Sequence, residues 1–198
     1  MKRCAWASDS AEMLVYHDKE WGVPKQKVSE LFECLTLEIF QAGLSWSTVL
    51  RKREAFRDDF YDFDVEKISQ FNDEDLERLM NDEAIIRNRA KIIATIQNAN
   101  ACMNNDLVQL TWEPFDFMQM DGLNDNNKND IKEFIKPYVK RFKDAGFKRV
   151  GPTTLYSYFQ SVGVINDHEI DCFRHKELND SFKAWFKERI LEWILTAL

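Results

Sequence analysis

The spacing of its apolar residues constrains this chain most. They recur three and four positions apart through 28–42, 46–60, 73–80, 84–102, 128–144, 152–162 and 181–197, the period that lines one face of an α-helix. No alternating strand pattern of useful length interrupts them, so the expected fold class is all-α. Only six Gly and four Pro punctuate 198 residues. They fall where helices should stop: Gly22 with Pro24, Gly43, Gly122, Gly146, and Gly151 with Pro152. With 44% apolar and 13% aromatic residues, the chain can bury a sizeable core and should fold unaided as one two-lobed domain over 1–198. There is no internal repeat or low-complexity linker, and DGLNDNNKND at 121–130 reads as the principal loop. An amphipathic helix at 181–198 sets Phe182, Trp185, Phe186, Ile190, Trp193, Ile194 and Ala197 on one stripe, for packing onto the body or for a partner.

No apolar run approaches the roughly 18 to 20 residues that span a bilayer, and MKRCAWASDSAE lacks a signal-peptide core. A cytoplasmic protein without a membrane partner is expected. Cys4, Cys34, Cys102 and Cys172 then read as reduced thiols or metal ligands. The net charge of −7 hides a pattern: 132–149 carries +5 and 51–57 carries +3, leaving −15 for the rest. A basic face on an acidic body still focuses positive potential, so either run is a solvated helix face or a phosphate-binding surface.

Two pieces of the sequence invite chemistry. In VGVINDHEIDC, His168 and Cys172 stand at i and i+4, which would bring both side chains to one face of a helical turn. Cys4 and His17 near the N-terminus would complete a tetrahedral shell for zinc, with no place for water and hence a structural role. His175 and Cys34 are alternative ligands, Cys102 reads as core, and buried thiols with hydrogen-bonded histidines are the metal-free alternative. The second piece is KRFKDAGFKRVGPTTLYSYFQSVG, a helix, a tight turn bearing Gly146 and Gly151, and a helix opened by Pro152. Amides at such a helix start, beside Lys148 and Arg149, suit a phosphate oxygen; a plain connection between two helices is the alternative.

Taken together, Cys4, Tyr16, His17, EWGVP, LEIFQAGLSW and NDH-x3-C resemble the bacterial DNA-3-methyladenine glycosylase I family, of the helix-hairpin-helix glycosylase superfamily. The resemblance runs from residue 1 to about 172. It implies a two-lobed helix-hairpin-helix fold, with the hairpin at about 140–162, and excision of 3-methyladenine from alkylated double-stranded DNA; a monomer is expected, unless the last helix makes a dimer. It implies one structural zinc held by Cys4, His17, His168 and Cys172, joining the N-terminal segment to the C-terminal region. Glu38 is implied as the catalytic and base-reading carboxylate, in a pocket lined by Trp6, Tyr16, Trp21 and Trp46. Gly146, Lys148, Arg149 and Gly151 would grip the backbone. Met13 and Ile39–Phe40 depart from residues found in some relatives, which puts the pocket wall in doubt there, and the tail from 173 matches nothing in the family.

The chemistry suits these residues. Methylation of ring nitrogen 3 makes adenine cationic and a good leaving group, so selecting the flipped base is harder than expelling it. Tryptophan and tyrosine faces attract a cation, worth roughly 0.5 to 2 kcal/mol per good contact, and Glu38 adds a full negative charge. Its carboxylate would accept from the exocyclic amine and stabilise an oxocarbenium-like sugar. Asp167 or Asp171 would be second candidates for positioning the water, with Asp167 alternatively orienting His168. Gly43 and Leu44 form a kink that would probe the gap left by the base, or simply turn the chain. Lys148, the nearest amine, belongs to the phosphate-gripping turn, so a monofunctional enzyme leaving an abasic site is expected. The alternatives are a noncatalytic DNA-binding zinc protein and a zinc hydrolase, which would need an open coordination position; the lack of clustered cysteines disfavours an iron–sulfur relative.

Overall fold

Side-chain caps decide where the helices begin. In the computed structural model, which describes residues 1–123 and 128–181, Ser10 accepts from the amide of Met13 and opens α1, Ala11–Lys19. Ser45 does the same for α3, Trp46–Asp59. Asp64 opens α4, Val65–Ser69, and a reciprocal box between Asn72 and Asp75 opens α5, Asp73–Asn81. Asn88 opens α6, Arg89–Asn104, and Asp106 opens α7, Leu107–Trp112. Each such cap satisfies amides that have no partner within the helix. The 84–102 periodicity therefore overstates its helix at the start, because Asn88 turns its side chain to the backbone and fixes the first turn at 89.

The other helices are α2, Val28–Gln41, α8, Lys128–Asp144, and α9, Pro152–Ser161; residues 173–181 are also helical. Two short strands, β1 at Met120–Asp121 and β2 at Ile165–Asn166, pair in parallel, Met120 opposite Ile165. They fell below the length at which alternation is visible. The C-terminal stripe expected over 181–198 lies, past residue 181, outside the described residues, as does 124–127 of the loop.

The core forms around α2, whose Leu31, Phe32, Leu35, Leu37, Ile39 and Phe40 are all buried. This helix has apolar residues on most of its circumference because it packs against α3, α6, α7 and α9. One cluster of buried side chains runs from Leu31 to Ile165 and includes Phe56, Phe60, Trp112, Phe142 and Phe159. A fully buried ring or branched chain contributes roughly 1.5 to 3 kcal/mol, so a charge at Leu35 or Phe40 would dismantle the packing that holds α2. The chain leaves α9 through Gly163, at φ +81, where a Cβ would lie 2.5 Å from the Pro24 nitrogen. Only glycine fits there. Among the described residues, no helix is long and apolar enough to cross a membrane.

Candidate functional site

Four side chains distant in sequence converge beside this core. Cys4 precedes a 3-10 turn, His17 lies on α1, and His168 and Cys172 sit in the turn after β2. All four are buried, and one ligand atom from each lies within 4.8 Å of the others. Cys4 Sγ is 3.5 Å and Cys172 Sγ 3.7 Å from His168 Nδ1, and Cys172 Sγ is 3.4 Å from His17 Nε2. The expected helical turn at 168–172 is instead a tight non-helical turn, closed by the Cys172 amide donating to the Glu169 carbonyl at 2.7 Å, with helix beginning at 173. It presents both ligands equally well because β2 and the new helix fix its ends.

Each imidazole is held from behind. His17 Nδ1 lies 2.8 Å from Asp18 Oδ1, and Asp18 is gripped by Arg3 through Nε and Nη2, which holds its pKa down to about 2. His168 Nε2 faces the Trp21 carbonyl at 3.2 Å. These partners leave His17 Nε2 and His168 Nδ1 pointing inward. Burial pushes the Cys4 thiol up to about 12 and His168 down to about 4. Two thiols and two imidazoles converging in a site that disfavours charge are a donor set suited to a divalent cation, and the residues fit one. His175 is not part of the cluster, lying 3.5 Å from Asp121. Cys34 on α2 and Cys102 on α6 are also separate from it.

A cavity of about 850 Å³ opens alongside, and its lining includes Trp6, Tyr16, Trp21, Glu38 and Trp46. The rings run in sequence: Trp21 to Trp6 at 4.9 Å between centroids, Trp6 to Tyr16 at 6.5 Å, Tyr16 to Trp46 at 5.3 Å. The Glu38 side chain comes from α2, is 6% exposed, and has no hydrogen-bond or ion-pair partner among the described residues. Burial alone raises its pKa to about 8. Trp46 adds a buried indole N–H with no acceptor among the described residues. The Cys2His2 cluster and the cavity share a wall, since Trp6 meets His17 at 5.1 Å and Trp21 meets His168 at 4.5 Å. Met13 lines the cavity, whereas Ile39 and Phe40 face the core.

Asp167 also lines the cavity. Its carboxylate does not orient His168: it accepts from the Tyr156 hydroxyl at 3.2 Å and from Gln160 Nε2 at 2.5 Å, both on α9. A Cβ at Gly122 would lie 1.9 Å from Asp167 Oδ1, so a side chain there would have to displace that carboxylate. Asp171 is exposed and paired with Lys2.

The turn between α8 and α9 is rigidly held. Gly146, at φ +95, ends α8 as the Phe147 amide reaches back to the Phe142 carbonyl at 3.0 Å, and Phe147 and Val150 are buried. Lys148 donates its amide to Asn98 Oδ1 at 2.7 Å, so that amide is committed within the protein. The amides that remain for a ligand are those of the first turn of α9, after Gly151, together with the exposed Lys148 and Arg149 side chains. Arg149 takes the left-handed conformation at φ +59, and its Nε donates to the Ala90 carbonyl at 3.2 Å. At the end of α2, Gly43 adopts φ +86 with open space around it, and Leu44 is 42% exposed. Asp18, Lys91, Asn98 and Gly163 went unmarked in the sequence, because Lys91, Asn98 and Gly163 act through residues remote in the chain and Asp18 acts on its neighbour His17 only once Arg3 grips it.

The helical frame that carries this cavity and the Cys2His2 cluster has known relatives. A sequence model of the methyladenine glycosylase family matches residues 6–175, and the chain belongs to that family. It is 41% identical over 182 residues to DNA-3-methyladenine glycosylase 1 of Escherichia coli K12, covering 87% of this chain and 96% of that protein. The crystal structure of a 3-methyladenine DNA glycosylase I superposes with a TM-score of 0.80 at 39% identity, over 87% of this chain and 98% of the other. The Staphylococcus aureus 3-methyladenine DNA glycosylase I, solved for its recognition of 3-methyladenine, gives 0.76 at 30% identity over 87% and 96%.

Proposed function

We propose that the protein is a DNA repair glycosylase that excises 3-methyladenine by hydrolysing its N-glycosidic bond and leaves an abasic site. The observation that carries the reading is Glu38: a carboxylate buried without a partner is costly as an anion, and a cationic base supplies the missing charge. The bound cation converts a neutral acid at pH 7 into an ionised one. Trp6, Tyr16, Trp21 and Trp46 stabilise the same cation through their ring faces, while a neutral purine would leave the carboxylate unsatisfied. Selection therefore rests on charge rather than shape.

The damaged nucleotide reaches the cavity by leaving the duplex. Gly43 and Leu44 enter the gap, and the hairpin turn holds the phosphate backbone of double-stranded DNA through the first-turn amides of α9, Lys148 and Arg149. Glu38 accepts from the exocyclic amine and faces the positive charge that develops on the sugar as the bond breaks. Asp167, aimed into the cavity by Tyr156 and Gln160, is the group placed to orient the attacking water. Cys4, His17, His168 and Cys172 would hold one zinc ion. Four protein ligands leave no open position, so the ion supplies rigidity rather than a reactive water, and its ligands brace Trp6 and Trp21.

The test is direct. Purified protein incubated with methylated duplex DNA should release 3-methyladenine, and Glu38→Gln should lower the single-turnover rate roughly 100-fold or more. A folded, metal-replete protein that binds the duplex and releases no base would leave only a noncatalytic DNA-binding role.

A further inference from the structure

Lys91 is the buried cation whose place in this chemistry is not given by the cavity. It lies on α6, is 6% exposed, and forms no ion pair among the described residues. Its Nζ donates instead to the carbonyls of Phe40 at 2.9 Å and Ala42 at 2.7 Å, the end of α2. Burial and the neighbouring Arg149 both pull its pKa down. A buried ammonium is costly, and a methionine would bury the same stem without that cost. What methionine cannot do is tie down carbonyls at a helix C-terminus, where a cation also meets the negative end of the helix dipole. The carbonyl between the two, that of Gln41, takes the Leu44 amide at 2.7 Å. Three successive carbonyls are thus fixed at the start of the kink, although a Cβ at Gly43 would point into open space.

The same helix carries the hairpin turn. The carbonyl of Ala90, next to Lys91, accepts from Arg149 Nε, and Asn98, two turns on, pairs with both the amide and the carbonyl of Lys148. Among the described residues, α6 therefore hydrogen-bonds to the kink through Lys91 and to the hairpin turn through Ala90 and Asn98.

We infer that Lys91 is a positioning residue for DNA, which through α6 holds the Gly43–Leu44 kink at a fixed spacing from the hairpin turn so that both engage one duplex. The inference rests on the reading of that kink as the element that enters the duplex. Free base should not sense the spacing, because Lys91 does not line the cavity, whereas excision from DNA should.

Lys91→Met, Lys91→Arg and Leu44→Ala would be compared on a duplex carrying an abasic analogue beside 2-aminopurine, whose fluorescence reports unstacking, alongside single-turnover excision and free 3-methyladenine affinity. Lys91→Met should lower excision roughly 10- to 100-fold, quench the unstacking signal and speed exchange of the Leu44 amide, with free-base affinity unchanged. Lys91→Arg should recover most of the loss, and Lys91→Met combined with Leu44→Ala should be no worse than the poorer single variant. Should Met at 91 unfold the chain, seen as lost free-base binding, Lys91→Gln against Lys91→Arg makes the same comparison. If Leu44→Ala impairs unstacking while the variants at 91 do not, the positioning role is overturned and the kink reading stands. If neither impairs it, the kink reading fails and takes the inference with it.

Discussion

A carboxylate buried in a cavity wall is stable only as an acid or opposite a cation, and Glu38 has no cationic partner among the described residues. Its folded pKa, about 8, lies above the ordinary 4.5. The folded chain therefore holds a proton that the unfolded chain releases between those values, and the stabilisation this provides is complete below about 4.5 and lost as pH rises through about 8. Urea unfolding of the free protein should show stability falling by a few kcal/mol between about pH 5 and 8 through this group, and Glu38→Gln should remove that part of the slope and stabilise the free protein at pH 8. An unchanged slope would mean that position 38 is ionised and satisfied in the folded chain. That Glu38 and the rings share one cavity was legible only through the resemblance of LEIFQAGLSW and the N-terminal motif to a glycosylase family, since by sequence alone Glu38 also reads as an exposed helix residue. Asp18 and Lys91 were not, since an aspartate on a short helix and a lysine on an exposed-looking one are ordinary until their partners at His17 and Phe40 are known.

At the scale of elements, the cluster ties α1 and the first residues to the turn after β2. The Phe173 amide donating to the Lys2 carbonyl at 3.0 Å is a backbone hydrogen bond of the same junction. Without a cation, the junction keeps that bond, the Ala5 amide donating to Glu169 Oε1 at 2.8 Å, His168 against the Trp21 carbonyl, Arg3 with Asp18, and the exposed Lys2–Asp171 pair, and exposed pairs contribute little. Cys172→Ser, or chelation, should therefore destabilise the protein by about 3 kcal/mol, lowering Tm by roughly 6 to 12 °C. Limited proteolysis should then cut before α2, and the intact chain should release one equivalent of zinc on denaturation. Protein that binds no metal and melts identically as Cys172→Ser would remove zinc from the account. The long helices were legible because their periodicity is strong; α1 was not, as nine residues opened by Ser10 carry little pattern. The break at 163 was hidden for another reason: its cause, Pro24, is 139 positions away.

Over the whole molecule, a net charge of −7 must bind a polyanion, and the structure sorts which cations remain for it. The run at 51–57 is mostly consumed internally: Arg53 pairs with Glu20, Arg57 with Glu33 and Glu54, and Lys52 caps the carbonyls of Glu83 and Ala84. Around the hairpin, Lys136, Lys140 and Arg141 also have acidic partners, whereas Lys132, Lys143, Lys148 and Arg149 form no ion pair among the described residues. Charge counting along the sequence could not separate the two runs, because most of what occupies the first comes from elsewhere: Glu20 just after α1, Glu33 on α2, and backbone carbonyls of the turn after α5. Four available cations predict that log K for abasic duplex DNA falls with log[salt] at a slope of about −3 to −4, and that Arg149→Ala or Lys148→Ala reduces that slope by about one. Arg53→Ala should leave the slope alone and lower stability instead. Free-base affinity should hardly change with salt, because the charge it meets is buried beyond the reach of screening ions. A slope that responds to Arg53 and not to Arg149 would move the DNA to the opposite basic run and detach the hairpin from the duplex.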